Sequence, residues 1–208
     1  MGFKIMKIDR FNSRFFNANC YVITDNNKSI VIDPCVPYSN LSKALDGNEV
    51  LGVFLTHGHF DHISNLDEFL NNHNVLIHCH LNAREKLEDE NKNYSTIAKK
   101  SMVFKYEDSK FSFLREGDFT IGPFKIKVLE TPGHTDCSLC YIIEDNMFSG
   151  DTLFKGSVGR CDLYSGNTYK MMQSIDKLKR LNPDMKVLPG HDGVTSIKIE
   201  KLTNRYFI

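Results

Sequence analysis

Four short segments hold the residues able to do chemistry: Thr56-His57-Gly58-His59-Phe60-Asp61-His62, Gly133-His134-Thr135, Ser149-Gly150-Asp151 and Pro189-Gly190-His191. Together they carry five of the eight histidines and two aspartates, each segment following a hydrophobic run. Imidazole and carboxylate are ligands that zinc takes readily, and they also suit iron and manganese. Seven such groups are too many for one tetrahedral ion and about right for two ions that share a bridge. The pattern therefore points to a dinuclear metal enzyme. A lone histidine is more often a loop or core residue satisfied by a hydrogen bond. That reading is a poor bet for His-x-His-x-Asp-His after the apolar run Leu51 to Leu55, and three further segments weaken it again.

The elements that must position these groups follow from periodicity. Gly58, being small, allows a tight turn that sends His57 and His59 inward. The spacing of Ile63, Leu66 and Leu70 predicts one helix with Asp61 and His62 at its N-terminus. Apolar runs at Phe3 to Ile8, Tyr21 to Thr24 and Ile30 to Ile32 predict hairpin strands, with Asp25-Asn26-Asn27 as a turn. Further strands are expected at Leu51 to Thr56, Val75 to Cys79, Phe111 to Leu114, Asp118 to Ile121, Lys125 to Glu130, Ser138 to Ile143, Asn146 to Ser149 and Lys186 to Leu188. Short helices are expected at Leu41 to Leu45, Asn82 to Glu88 and Ser196 to Asn204. A glycine-rich loop from Gly150 to Gly166 precedes an amphipathic helix striped by Met171, Met172, Ile175, Leu178 and Leu181 and stopped by Asn182-Pro183. The polar stretch Glu88 to Lys100 reads as a solvated loop, lid or insertion. Two similar halves, each with strands, a ligand-bearing loop and helices, predict two mixed β-sheets packed together and flanked by helices.

Bulk properties set the frame. The 208 residues suit a single domain spanning 1–208, and 41% hydrophobic with 25% charged residues is an ordinary globular composition. Zero formal net charge recruits neither nucleic acid nor an anionic membrane. No apolar stretch approaches the roughly 20 residues of a membrane helix, and the N-terminus lacks a secretory apolar region. The expected location is the cytoplasm, where the six scattered cysteines would stay reduced. Cys137-x-x-Cys140 stands without a second pair, and His78-Cys79-His80 and His73 read as structural or surface residues.

The strings THGHFDH, TPGHT, SGDTLFKGSVGR and LPGH, in this order, resemble the metallo-β-lactamase superfamily, in particular its glyoxalase II-like (hydroxyacylglutathione hydrolase-like) members. The resemblance runs from about Asn19 to the end and implies an α/β (α+β) four-layer αββα sandwich. It also implies that His57, His59 and His134 hold a first divalent ion and Asp61, His62 and His191 a second, with Asp151 bridging. Zinc is the foremost candidate, with iron or manganese compatible. Asp33, in Val31-Ile32-Asp33-Pro34, matches the carboxylate that orients ligating histidines, beside its alternative as a turn-former. Arg160 is a candidate anchor for a substrate carboxylate, against a plain loop arginine.

The implied reaction is hydrolysis of a small-molecule thioester or ester by a hydroxide shared between the two ions, with Asp61 orienting it. Two departures stand out. Thr135-Asp136-Cys137-Ser138 replaces the family's usual Thr-Pro-Gly-Ser, and the chain stops about where the catalytic domain stops, without the helical domain that builds much of the glutathione site of glyoxalase II. Competing readings are an iron persulfide dioxygenase of the same superfamily, an RNA or phosphodiester hydrolase, and a non-enzymatic metal-binding module. A flavodiiron role expects glutamate where His59 stands. The complete second ligand set favours hydrolysis, and no basic arm supports nucleic acid.

Overall fold

The first half of the chain builds one sheet around a tight hairpin. The structure, a computed structural model, describes residues 6–14 and 16–207. Strands β1 (Lys7–Asn12), β2 (Asn19–Asp25) and β3 (Lys28–Ile32) run antiparallel, and β4 (Glu49–Phe54), β5 (Leu76–Cys79) and β6 (Phe111–Phe113) extend the sheet in parallel. Asn26 and Asn27 both hold positive φ, 49° and 58°, between the paired Asp25 and Lys28. That is the two-residue turn whose twist matches a hairpin, and asparagine tolerates it.

The second half builds the second sheet. Strands β7 (Gly117–Ile121), β8 (Phe124–Glu130), β9 (Leu139–Ile143) and β10 (Asn146–Gly150) form a meander. After a small hairpin of β11 (Leu153–Phe154) and β12 (Ser157–Val158), β13 (Lys186–Pro189) joins β10 in parallel and β14 (Thr195–Ser196) closes that edge.

Alternation along the strands decides the layers. In β2, Tyr21 and Ile23 point between the sheets, where they meet Ile126, Val128, Tyr141 and Phe148, while Cys20 and Val22 face outward. Against that outer face pack α1 (Tyr38–Leu45), α2 (Phe60–Ile63), α3 (Leu66–Asn72) and α4 (Ala83–Leu87). The outer face of the second sheet is covered by α5 (Thr168–Leu178) and α6 (Ile197–Thr203). The result is the expected αββα sandwich. Asn167 caps α5 by accepting from the Lys170 amide, and Met171, Ile175 and Leu178 are buried at roughly 1.5–3 kcal/mol of gross burial each. Among the described residues no helix is long and apolar enough to cross a membrane.

Several elements differ from the sequence expectation for identifiable reasons. The first strand runs to Asn12, because its register pairs Asn12 with Asn19, and the Phe3 to Ile5 part of that expectation lies outside the described residues. One helix after the metal loop becomes two, separated at Ser64 and Asn65, where Ser64 Oγ donates to the Cys35 carbonyl and the Asn65 amide to that of Pro34. The glycine-rich loop contains the β11–β12 hairpin. Met172 is half-buried and Ser174 takes the buried place, donating to the Pro132 carbonyl at 2.7 Å; α5 ends at Leu178, short of Leu181. The stretch from Glu88 to Lys100 is more than solvated surface, since Asn93 and Ser95 within it are fully buried.

Candidate metal centre

All four histidine- and aspartate-bearing segments end at one edge of the sandwich. The His57–His62 loop leaves β4, and Leu139 and Tyr141 of the second sheet pin it by donating to the carbonyls of Thr56 and Leu55. Gly58 is needed for close approach rather than for unusual backbone angles: a Cβ there would lie 2.7 Å from Cβ of Lys86 in α4. Asp151 follows β10, and His191 follows β13. Asn19 and Tyr21 of the first sheet both donate to the Pro189 carbonyl, at 2.8 and 2.7 Å, so the last loop is tied across the two sheets.

The side chains converge as three overlapping groups: His57, His59 and His134; His57, His62 and Asp151; and Asp61, His62 and His191. In each, the potential ligand atoms lie within 4.8 Å of one another. His59 Nδ1 lies 2.8 Å from His134 Nε2, and His62 Nε2 lies 3.2 Å from both His191 Nε2 and Asp151 Oδ1. Asp151 Oδ2 sits 3.5 Å from both His134 Nε2 and His191 Nε2, between the two outer groups.

Hydrogen bonds on the far side of the rings fix what the inward nitrogens can do. His134 Nδ1 donates to the Arg160 carbonyl at 2.8 Å, and His191 Nδ1 donates to that of Phe16 at 2.9 Å. His62 Nδ1 donates to Asp33 Oδ2 at 2.9 Å. Thr56 Oγ1 gives its proton to Asp33 Oδ2 at 2.7 Å, so it can only accept from His57 Nδ1, 3.1 Å away. In each neutral ring the proton is thus spent outward and Nε2 presents a lone pair inward. The Nε2 atoms of His62 and His191 face each other at 3.2 Å, and His57 Nε2 is buried with no hydrogen-bond partner. Imidazole nitrogens converging beside Asp61 and Asp151 suit a cation, so the residues present fit divalent metal.

The electrostatics agree. Burial holds His57 well below the ordinary imidazole pKa and His59 down to about 3, which keeps both neutral and able to ligate. Burial also works against charge on His62 and His191, yet the nearby Asp151 and Asp61 override it, raising His62 and bringing His191 up to about 9. The Asp61 and Asp151 carboxyls are lowered, because His62 outweighs the effect of their burial.

Asp33 combines both of its sequence readings. It turns the chain at φ 51°, and its carboxylate accepts from the Thr56 amide and hydroxyl as well as from His62. Arg160 meets the site through its backbone carbonyl. Its exposed guanidinium forms a two-pronged pair with Asp162, both contacts at 2.7 Å. His78 stacks on Phe54 between the sheets at 4.4 Å, His80 faces Glu130, and His73, half-buried rather than at the surface, packs on Tyr38 and Phe69. The six cysteines are free, and five are buried.

The centre opens into a pocket of about 320 Å³ walled by Phe16, Phe60, Tyr94, Ile97, Phe154 and Leu163. Sequence reasoning missed these walls, together with Thr56 and Asn19. A ring in a turn carries no periodicity to mark it; the place of Phe60 inside the histidine segment was the one available signal.

A family model described as "Metallo-beta-lactamase superfamily" matches residues 13–191. The "Probable metallo-hydrolase YqgX" of Bacillus subtilis is 32% identical over 194 residues, covering 91% of this chain and 92% of that protein. Among solved structures, the BLEG-1 B3 metallo-beta-lactamase superposes with a TM-score of 0.90 at 30% identity, over 97% of this chain and 99% of its own. TTHA1623 in a di-iron-bound form gives 0.85 at 25% identity, over 95% and 99%.

Proposed function

The chain belongs to the metallo-beta-lactamase superfamily, and on that premise we propose that it works as a single-domain, dinuclear metal-dependent hydrolase of the glyoxalase II type, cleaving a small-molecule thioester or ester. The observation that carries this reading is the convergence of seven ligating side chains into overlapping groups, with the outward nitrogens of His57, His62, His134 and His191 held by hydrogen bonds so that Nε2 of each faces the others. His57, His59 and His134 would hold one ion, Asp61, His62 and His191 the other, and Asp151 would be shared. Bound divalent ions, zinc foremost and iron or manganese compatible, supply Lewis acidity and lower the pKa of a water towards about 7. The iron pair in the similar TTHA1623 structure supports that breadth.

The chain's own residues do the rest. Asp61, with Oδ2 3.3 Å from His191 Nε2 and a side chain at the pocket wall, would accept a hydrogen bond from the attacking hydroxide and so aim its lone pair at the carbonyl carbon. Phe16, Phe60, Phe154 and Leu163 would bury the acyl group and exclude bulk water. Arg160 at the mouth would take a substrate carboxylate by exchanging Asp162 for it.

The test is hydrolysis of S-D-lactoylglutathione by the metal-replete protein, beside a simple ester and a cephalosporin. Turnover of a thioester or ester that disappears in His134→Ala together with one equivalent of metal is the expected result. No turnover of either class with both ions bound would sink the reading, and oxygen uptake with a persulfide would hand the site to oxidative chemistry.

A further inference from the structure

A second cavity, of about 380 Å³, shares Phe60 with the metal pocket as a lining residue. Its size falls within the range of small-molecule sites. Two cations, Arg14 and Lys100, line it, and its lining contains no carboxylate. Among the described residues neither cation has an ion-pair partner, whereas most other arginines and lysines around the centre, Arg84, Lys86, Lys92 and Arg160, are paired. Asn40 adds an amide, and Phe60, Ala98 and Met102 add apolar surface.

The walls are built rather than incidental. Buried Asn93 donates to the carbonyls of Met102 and Lys86 and receives the Ser95 amide, while Ser95 Oγ accepts from the Met102 amide. The Asn93 carbonyl accepts from the Phe60 amide at 2.9 Å, one residue before Asp61. Ser64 and Asn65, also in the lining, are bonded to Cys35 and Pro34, next to Asp33. The cavity thus shares its framework with the metal centre but none of its candidate ligands.

We propose that this second cavity binds a small organic anion, a carboxylate or phosphate monoester attached to an apolar group, with Arg14 and Lys100 taking the charge and Phe60 and Met102 the apolar part. The anion is either the far end of the hydrolase substrate or a separate small molecule, and the chemistry of recognition is the same.

The experiment is calorimetric titration of the metal-loaded protein with phenyl phosphate and phenylacetate, with 2-phenylethanol as the neutral control. It requires no turnover and therefore stands or falls separately from the hydrolase reading. At low salt the anions should bind and the alcohol should not. Removing both charges in Arg14→Met/Lys100→Met should weaken anion binding at least about fivefold, an effect that shrinks in high salt. Displacement of the probe by the non-hydrolysable S-methylglutathione would identify the occupant as the substrate's own distal acid; independent binding would identify a separate ligand. Absence of anion binding, or binding that the double variant leaves unchanged and that therefore belongs to the metal centre, would overturn the proposal. Both substitutions are at exposed positions, and an unchanged thermal midpoint shows that the fold is retained.

Discussion

Lys86 is fully buried, and its ammonium is held by Asp136 Oδ1 at 2.6 Å, with Glu85 at 3.2 Å and the Asn82 carbonyl at 3.3 Å. The pair joins α4, which packs under Gly58, to the residues just after His134, and so couples the two halves of the first histidine group. Replacing Asp136 by asparagine leaves a buried cation with weaker partners. Breaking a buried pair from one side typically costs about 3–5 kcal/mol. Here Glu85 remains and the Asp136 side chain is 28% exposed, which brings the expectation down to about 2–3 kcal/mol. With about 2.1 cal/mol/K of unfolding entropy per residue over 208 residues, that lowers Tm by about 6 °C.

The pH dependence separates charge from shape. Burial alone would raise the Asp136 carboxyl, but Lys86 overrides it and the net pKa is lowered; burial opposes the Lys86 ammonium, and its carboxylate partners override that to raise it. A lowered carboxyl contributes stability above its unfolded value, near 3.9, and loses it as pH falls through the folded value; a raised ammonium contributes below about 10.4 and loses it as pH rises. The gap between wild type and Asp136→Asn should therefore be full from about pH 5 to 9 and close below about pH 4. Urea unfolding of wild type, Asp136→Asn, Lys86→Met and the double variant measures it. The two single effects should fall short of additivity by at least about 1 kcal/mol. Strictly additive losses that do not change with pH would refute the pairing argument.

Three further outcomes follow from the centre. Asp33→Asn turns an amide donor towards one or more of the protons that His62 and the Thr56 amide and hydroxyl now direct at the carboxylate, so metal affinity should fall about 10–100-fold by competition with a chromophoric chelator; wild-type affinity would remove its orienting role. In Gly190→Ala the new Cβ would lie 2.3 Å from Asp151 Oδ1 and 2.7 Å from His62 Cε1, so at least one ion should be missing by elemental analysis, and two bound equivalents would contradict the close approach. Metal binding to stripped protein at pH 7 should release protons, His191 among the sources, because the neighbouring carboxylates override burial and bring its pKa up to about 9 without metal; affinity should fall as pH drops, and a binding enthalpy independent of buffer ionisation would count against it.

Most of the architecture was legible because it rests on patterns of period two and 3.6. Tyr21 and Ile23 against Cys20 and Val22 sort a strand into inner and outer faces, and Met171, Ile175 and Leu178 sort a helix. What escaped was set by contacts between distant segments. Serine serves at position 174 because a carbonyl lies there to receive it. The stretch around Asn93 reads as polar and solvated, yet that side chain is buried because it satisfies the backbone groups of Lys86, Ser95 and Met102.

The same division runs through the centre itself. A ligand must be a histidine or an aspartate, so His57, His59, Asp61, His62, His134, Asp151 and His191 announce themselves by residue type. Whether a histidine offers its lone pair inward depends on what its other nitrogen meets, and here the acceptors are of two kinds. Asp33 and Thr56 act through side chains, and Asp33 is found through the family resemblance of Val31-Ile32-Asp33-Pro34, its place before proline alone reading as a turn. His134 and His191 are set by the carbonyls of Arg160 and Phe16, which any residue could supply. That is why Arg160 draws attention for its guanidinium while the structure engages its backbone, and why a substitution at Arg160 that preserves the loop should leave the orientation of His134 intact.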